Sequence, residues 1–339
     1  MKRADLLCIL LRFSGALAVR SRLLRLRSGR ALVILAYHRI VEEMPRDFPF
    51  DEGVLSCTRR EFEREMAFVK RGFDVVSFAD LERGGVEADR PLIITFDDGY
   101  KDNYTLALPI LEQQGLKATF FITTGYVDNR QPPWWDEIAW IVKHARAESI
   151  VIRLPEKREM ILPLGNERDK RAAIGQLLRE AKSVANAERQ DLLNQLRAQA
   201  EQPDAGAFRA LMMSWDEVRD LAARGMEVGS HTVSHPVLGR MEDPELIMRE
   251  LVESKRRLEL ATGRPVLAIS YPVGRASQVS DMVTTLAEHA GYCFGCVYEH
   301  GVNPKPLKDR LRLKRVKAEV GADFTRFRAK VLFPRWVRY

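Results

Sequence analysis

Two adjacent carboxylates and a closely spaced pair of histidines are the residues of this chain best suited to chemistry. Asp97 and Asp98 directly follow a strongly apolar run, and His231 and His235 come more than a hundred residues later with the spacing HxxxH. One acid and two histidines supply three metal ligands and leave a position open for water, the usual arrangement of catalytic zinc. Such an ion lowers the pKa of its water towards ~7, and the second acid can serve as base. These residues therefore predict a metal-dependent hydrolase.

The two acids can serve one site only if the chain turns where they stand. Neighbouring residues on a strand point to opposite faces, and Gly99 directly after them permits a sharp turn. We then expect Asp98 to be the metal ligand and Asp97 the base. The HxxxH spacing is expected to place both imidazoles on one side of a helical turn.

Short apolar segments alternating with helical patterns must position these residues. The segments predicted as strands are nearly continuous in apolar residues, as in parallel strands buried on both faces: 31–37, 74–77, 92–96, 118–122, 226–230, 267–271 and 292–297. Capping boxes begin helices after Thr58 and Ser214, and Pro244 and Gly263 bracket a helix over 243–262. This alternation predicts a parallel α/β barrel or a doubly wound sheet, whose catalytic groups would lie at the C-terminal strand ends.

Residues 126–213 interrupt this rhythm and are predicted to form a roughly helical insertion near the site. The segment holds Trp134, Trp135 and Trp140, then a long charged helical pattern over 167–201. Exposed tryptophans would stack well on the apolar faces of sugar rings. The preferred interpretation is that they anchor the insertion to the barrel.

Basic residues are concentrated at the two ends of the 339-residue chain, which has a net charge of +7. Residues 1–30 carry eight basic residues and one acid, and 305–339 carry twelve and three, so the body between them is acidic. We predict that 1–30 is a basic amphipathic helix on an anionic membrane surface, with packing on the domain and a signal peptide as alternatives. Residues 317–339 are predicted to be a basic C-terminal helix or tail. Nucleic-acid binding is disfavoured because it rests on these ends alone.

Cys293 and Cys296 form a CxxC, the pattern of redox and zinc sites. No second CxxC completes a zinc site, and the segment around them is predicted to be a buried strand. We therefore expect two inert core thiols.

The motifs resemble those of the polysaccharide deacetylase family, the NodB homology domain of carbohydrate esterase family 4. The first motif is Thr-Phe-Asp-Asp-Gly at 95–99, the second is His-Thr-Val-Ser-His at 231–235, and the third lies in Ser-Tyr-Pro-Val-Gly at 270–274. The resemblance extends over about 31–316. It implies a distorted (β/α)7 barrel with the helical insertion, and removal of an N-acetyl group from an amino sugar with a divalent metal, Zn²⁺ or alternatively Co²⁺ or Ni²⁺.

The resemblance also assigns roles to individual residues. Asp97 would be the catalytic base, and Asp98, His231 and His235 would hold the metal. The oxyanion or the substrate would contact three further residues: Val273, Tyr271 and Trp215.

The chain departs from the family pattern at two positions. The third motif usually begins with an arginine that braces the base, and here Ser270 stands there, with Arg275 or Arg315 as substitutes. The usual acid is a histidine in a late Leu-x-His motif, which is missing, and His300 lacks that context. Circularly permuted members take their acid from an early Tyr-His, so we predict His38 as general acid. The alternative is that His38 only packs at the end of a strand.

We predict that the substrate is an N-acetylated amino sugar in a polysaccharide, such as an exopolysaccharide, or in a lipid-linked glycan. Two alternatives are hydrolysis of another non-peptide C–N bond, such as a formamide, and a catalytically degenerate glycan-binding protein. The expected location is the bacterial cytoplasm or the cytoplasmic membrane surface, with export left open. Oligomeric state is left open as well.

Overall fold

The computed structural model describes residues 31–84, 88–129, 132–154, 158–199, 208, 210–319 and 323–333. The predicted amphipathic segment 1–30 lies outside them, so its membrane contact stays a prediction. Among the described helices, none has the length and hydropathy to cross a bilayer.

A closed ring of parallel strands forms the centre of the molecule. The strands of the chain are β1 (Ala31–Tyr37), β2 (Arg39–Val41), β3 (Leu55–Thr58), β4 (Asp74–Val75), β5 (Pro91–Phe96), β6 (Thr119–Ile122), β7 (Ser149–Arg153), β8 (Glu159–Pro163), β9 (Glu227–Ser230), β10 (Ala268–Ser270), β11 (Phe294–His300), β12 (Asn303–Pro304) and β13 (Leu313–Lys317). The ring runs β1-β5-β6-β9-β10-β11-β13 and closes where β13 pairs with β1. The predicted (β/α)7 barrel is confirmed.

Helices cover the outside of the ring. They are α1 (Arg59–Gly72), α2 (Phe78–Glu82), α3 (Leu108–Gln114), α4 (Thr124–Asn129), α5 (Trp134–His144), α6 (Glu167–Ser183), α7 (Asn186–Gln199), α8 (Trp215–Ala223), α9 (Pro244–Thr262), α10 (Asp281–His289) and α11 (Phe324–Leu332). Local sequence sets their ends. Thr58 and Ser214 form the predicted capping boxes of α1 and α8, and α9 lies between the N-cap Asp243 and a left-handed Gly263 with φ 64°.

The seventh strand of the ring differs from the sequence prediction. The predicted strand 74–77 shortens to the two-residue β4, which pairs only with the first two residues of β5, Pro91 and Leu92. The place in the ring belongs to β13, which has two apolar residues among three cations and so lacks the apolar run of a buried strand. Its cations are accommodated because one of them, Arg315, points into the lumen and finds a carboxylate there.

Alternate residues of the ring strands fill the barrel lumen. One buried cluster gathers Leu32 and Ile34 of β1 with residues of five other ring strands: Ile93, Phe121, Ala268, Phe294, Cys296 and Leu313. The residues between them face the surrounding helices. Following the same alternation towards the C-terminal strand ends predicts which side chains reach the top of the lumen.

The insertion between β6 and β9 contains more than helices. An antiparallel hairpin, β7 and β8, packs with α5, α6 and α7 around a second core. The predicted continuous helix over 167–201 is two helices, because the chain leaves helical geometry at Val184. The hairpin was missed because its alternating burial buries only every second residue, which leaves a weak apolar signal.

Both cysteines of the CxxC are free thiols, the half-buried Cys293 directly before strand β11 and the buried Cys296 within it. Cys296 faces the lumen core, and burial raises the pKa of its thiol to about 12. A thiol that stays protonated is a poor nucleophile and metal ligand, in agreement with the expected inert role.

Candidate active site

A pocket of about 300 Å³ opens at the C-terminal ends of the ring strands. It brings together the predicted base, the three predicted metal ligands and the predicted acid: Asp97, Asp98, His231, His235 and His38. These residues come from the ends of β1, β5 and β9, which are far apart in sequence. In the ring β1 pairs with β5, and only β6 separates β5 from β9.

The two acids serve one site because the chain turns at the second of them. Asp97 still follows the strand geometry, and its N–H donates to Tyr37 O at 2.9 Å. Asp98 has a φ of 77°, in the left-handed region that a non-glycine residue rarely adopts. Such strain is typical of functional sites, and here it swings both carboxylates into the same pocket.

The two histidines converge by a different route from the one predicted. Residues 231–235 are not helical, and two left-handed residues, Thr232 with φ 67° and His235 with φ 55°, fold the loop back. Glu250 of α9 holds this loop by accepting hydrogen bonds from the Val233 N–H at 2.7 Å and the Ser234 hydroxyl at 2.6 Å. The expectation of a helical turn is therefore wrong, although the convergence that it predicted is observed.

The three predicted ligands fit one divalent ion. His231 Nε2 and His235 Nε2 lie 3.3 and 3.4 Å from Asp98 Oδ1. Ligands about 2.0–2.1 Å from a tetrahedral zinc ion are about 3.4 Å apart, whereas N–H···O hydrogen bonds are about 2.7–3.2 Å long. Asp98 Oδ2 is buried with no hydrogen-bond partner among the described residues. An ion held by these side chains would give that oxygen a partner.

Hydrogen bonding and burial also prepare the ligands. His231 Nδ1 lies 2.6 Å from Ser270 O, so a neutral ring must donate there and keep the Nε2 lone pair for a metal. Burial lowers the pKa of His235 to about 4, which keeps its ring neutral. Burial opposes ionisation of Asp98, but the two neighbouring histidines, His231 and His235, lower the pKa of this carboxyl overall.

Arg315 braces the predicted base. Its Nη1 and Nη2 donate to the two carboxylate oxygens of Asp97, both at 2.8 Å, and Ser270 Oγ donates to Oδ2 at 3.2 Å. Burial raises the pKa of Asp97, but the charge and hydrogen bonds of Arg315, together with the nearby histidines, lower it overall. Of the two substitutes considered for the missing arginine, Arg315 makes the contact. Arg275 lines the pocket but makes no ion pair with Asp97 in the described part of the chain.

The predicted acid lies on the other side of Asp97. His38 Nε2 is 4.0 Å from Asp97 Oδ2, and the ring meets Tyr298 edge to face at 5.6 Å. Burial lowers the pKa of His38, an effect that Asp98 and Asp97 partly offset. His300, the rival candidate, is not among the residues that line the pocket.

The three residues assigned to the oxyanion or substrate separate into two groups. Val273, with a φ of 59°, and Tyr271 both line the pocket. Trp215 does not. It is the first residue of α8, and its Nε1 donates to Asp128 Oδ1 at 2.8 Å in a separate surface groove. The capping box that begins α8 fixes Trp215 on the outside of the barrel, so its assignment to the site is corrected.

Two tryptophans of the insertion press against the metal-ligand end of the pocket. Trp134 and Trp135 are only 5% and 4% exposed, so they anchor the insertion to the barrel, which is the interpretation preferred from the sequence. The Trp135 ring lies 4.4 Å from that of His235, and its Nε1 donates to the Tyr100 hydroxyl at 2.7 Å. Tyr100 in turn donates to Asp136 at 2.7 Å. This chain of contacts restrains the His235 ring.

Several pocket residues were missed in the sequence. Lys182 comes from α6 of the insertion, Lys317 ends β13 and Asp51 precedes a short 3-10 helix. Isolated lysines in charged helices carry no motif. Alternation along β13 could have found two of the basic residues at this end, because Arg315 and Lys317 have the same parity as the lumen-facing Leu313.

Comparison with known proteins identifies the family that this chain matches. The family model described as polysaccharide deacetylase matches residues 84–152 and 181–295. The protein YxkH of Bacillus subtilis (strain 168), whose name places it among polysaccharide deacetylases, is 22% identical over 305 residues, covering 88% of this chain and 76% of YxkH.

Solved structures share the fold. The deacetylase PplD of Streptococcus pyogenes, determined with acetate, has a TM-score of 0.54 at 19% identity and covers 85% of this chain and 92% of its own. The de-N-acetylase of Aggregatibacter actinomycetemcomitans has a TM-score of 0.56 at 16% identity, with coverages of 87% and 98%.

Proposed function

The chain belongs to the polysaccharide deacetylase family, and from that premise we propose that it is a metal-dependent hydrolase that removes the N-acetyl group from an amino sugar. The sugar would be part of a polysaccharide or a lipid-linked glycan. The observation that carries the proposal is the convergence in one pocket of a three-ligand set, Asp98, His231 and His235, with the braced carboxylate of Asp97.

A divalent ion bound by Asp98, His231 and His235 would lower the pKa of water at the site and polarise the amide carbonyl. Asp97 takes the proton of the attacking water. Arg315 holds both of its oxygens, so the carboxylate stays ionised and fixed in direction. This brace also argues against a degenerate protein, because the function of the missing third-motif arginine is supplied from β13.

His38 is the proposed acid for the leaving group. It lines the pocket with its Nε2 4.0 Å from Asp97 Oδ2, which suits protonation of the sugar nitrogen as the C–N bond breaks. The N–H of Val273, on the strained loop after β10, is the proposed donor to the developing oxyanion, and Tyr271 forms a wall of the same space. Water adds across the amide bond, and acetate and a free amine leave.

The first test is the metal content of the purified protein. We expect about one zinc-class ion per chain in the wild type, its loss in His231→Ala, and its retention in His289→Ala, which changes an exposed histidine of α10. A wild type that stays empty after incubation with zinc or cobalt would contradict the proposed metal dependence.

The second test is acetate release from N-acetylated amino sugars, with Asp97→Asn as the inactive control. Release of acetate by the wild type alone supports the deacetylase. Release of formate from formamides without any acetate would instead favour the alternative hydrolysis of another C–N bond.

A further inference from the structure

Three cations face the pocket besides the arginine that braces the base. Lys182 comes from α6, Arg275 from the loop after β10 and Lys317 from the end of β13. Separate parts of the chain thus place positive charge around one cavity. Such convergence is unexpected for side chains that only need solvent, since any of them could point away from the others.

The residues that line the pocket include few carboxylates to balance these cations. Within the described residues, Lys182 and Arg275 form no ion pair or side-chain hydrogen bond, and Lys317 lies over the Tyr298 ring at 5.1 Å. Of the other acids at the pocket, Asp97 is neutralised by Arg315 and Asp98 belongs to the proposed metal site. That leaves Asp51 as the one further carboxylate among the pocket-lining residues described.

Their positions cost free energy in the absence of a ligand. Lys182 and Lys317 are both half-buried. Burial lowers the pKa of each ammonium, an effect that the charge of Asp51 on Lys182 and of Glu319 on Lys317 only partly offsets, and the charge of Lys182 lowers the pKa of Lys317 further. A divalent ion at the proposed metal site would add further positive charge. A pocket with this balance of charge favours an anionic ligand.

We propose that the substrate is an N-acetylated amino sugar that also carries an oxyanion, a phosphate or a carboxylate, which Lys182, Arg275 and Lys317 bind. The inference rests on the proposed deacetylase function and narrows its substrate class. The insertion has a direct part in this selectivity, because α6 supplies Lys182 from above the barrel while β13 supplies Lys317 from the ring.

The first experiment compares acetate release by the full-length, metal-loaded protein from neutral and anionic sugars. The probes are tetra-N-acetylchitotetraose as the neutral sugar, N-acetylglucosamine 1-phosphate for phosphate and N-acetylmuramic acid for carboxylate. We expect kcat/KM to be at least about tenfold higher for one of the two anionic probes, the size of one charge-assisted contact. Which one responds identifies the oxyanion.

The matched variants separate pocket charge from overall charge. Lys182→Gln and Lys317→Gln are expected to lower kcat/KM for the anionic probe about tenfold more than for the neutral probe, mainly through KM. Arg179→Gln removes a charge of the same sign from an exposed position of α6 and is expected to change neither.

A binding measurement makes the result independent of turnover. Calorimetry measures the affinity of the Asp97→Asn variant for the anionic probe and for N-acetylglucosamine. The same affinities are measured after Lys182→Gln or Arg179→Gln is added to this variant. Equal affinity and equal turnover of neutral and anionic sugars, both insensitive to Lys182→Gln, would overturn the inference and leave the deacetylase intact. Lysine-dependent binding of the anionic probe without acetate release from any sugar would instead contradict the deacetylase.

Discussion

At the scale of single residues, the site depends on alternation along the ring strands. Asp97, Ser270 and Arg315 each continue the lumen-facing parity of their own strand, seen in Ile93, Ala268 and Leu313. An arginine from the last ring strand therefore reaches a base on β5 and takes the place of the one that the third motif lacks.

Replacing Arg315 tests how much its contact with Asp97 contributes to kcat. Arg315→Met is expected to lower kcat roughly ten- to hundredfold, because Asp97 loses two charge-assisted hydrogen bonds. Arg315→Lys should recover only part of the loss, since an ammonium cannot match both oxygens. The control is Lys314→Gln, the neighbouring residue of β13, which pairs with Glu299 on the outside. Steady-state kinetics measure kcat, and a thermal melt shows whether each variant is folded. A folded Arg315→Met variant with normal kcat would contradict the proposed role of Arg315 in holding Asp97.

The acid assignment gives a second prediction for single residues. His38→Gln is expected to lower kcat by about 10²–10⁴, the usual contribution of general acid–base catalysis. His300→Gln is the matched control, and its kcat should stay near that of the wild type because His300 does not line the pocket. Initial rates of acetate release measure both. The reverse pattern would transfer the role to His300.

At the scale of elements, packing outside the motifs holds the catalytic ends in place. Helix α5 restrains His235 through Trp135, and α9 restrains the 231–235 loop through Glu250. Helix α1 carries a buried acid, Glu65, that accepts a 2.7 Å hydrogen bond from the Tyr37 hydroxyl of β1. Such a group links the stability of an element to pH.

Burial raises the pKa of Glu65 to about 8, against about 4.3 in an unfolded chain. The folded protein therefore binds an extra proton between these values. The stabilisation that this proton gives to the folded state is complete below about pH 4.3. It is lost as the pH rises through about 8, and between these two pH values the free energy of unfolding falls by about 1.4 kcal/mol for each pH unit. Glu65→Gln should remove this dependence, and its Tm should exceed that of the wild type increasingly from pH 5 to 8.5.

The comparison needs a control on the same helix. Glu63→Gln changes an exposed residue of α1 and should melt in parallel with the wild type at every pH. Thermal melts monitored by circular dichroism give the three curves. Parallel curves for wild type and Glu65→Gln would contradict the linkage.

At the scale of the whole molecule, the proposed metal joins distant parts of the barrel. Asp98 follows β5, while His231 and His235 follow β9, with β6 and the whole insertion between them in the chain. An unfolded chain cannot hold these ligands together. Binding of an ion to this set should therefore stabilise the folded protein as a unit.

Zinc is accordingly expected to raise the free energy of unfolding by about 2.7 kcal/mol at a free concentration of 100 times its Kd. The rise should appear as a higher Tm in wild type and in His289→Ala. His231→Ala should show no rise with zinc, whatever its own Tm. A zinc response of normal size in His231→Ala would place the ion elsewhere.

The sequence by itself determined the family, the barrel and the catalytic motifs, because these depend on local patterns. Apolar runs, capping boxes and the two motifs around Asp97 and His231 can each be recognised within a few consecutive residues. The structure brings the motif side chains into one pocket. Only the tertiary structure decided that β13 closes the ring, that Arg315 rather than Arg275 braces the base, and that Trp215 lies outside the site. It also brought Lys182 to the pocket. Each of these depends on which strand ends and insertion helices become neighbours when the barrel closes, and that adjacency is set by long-range packing.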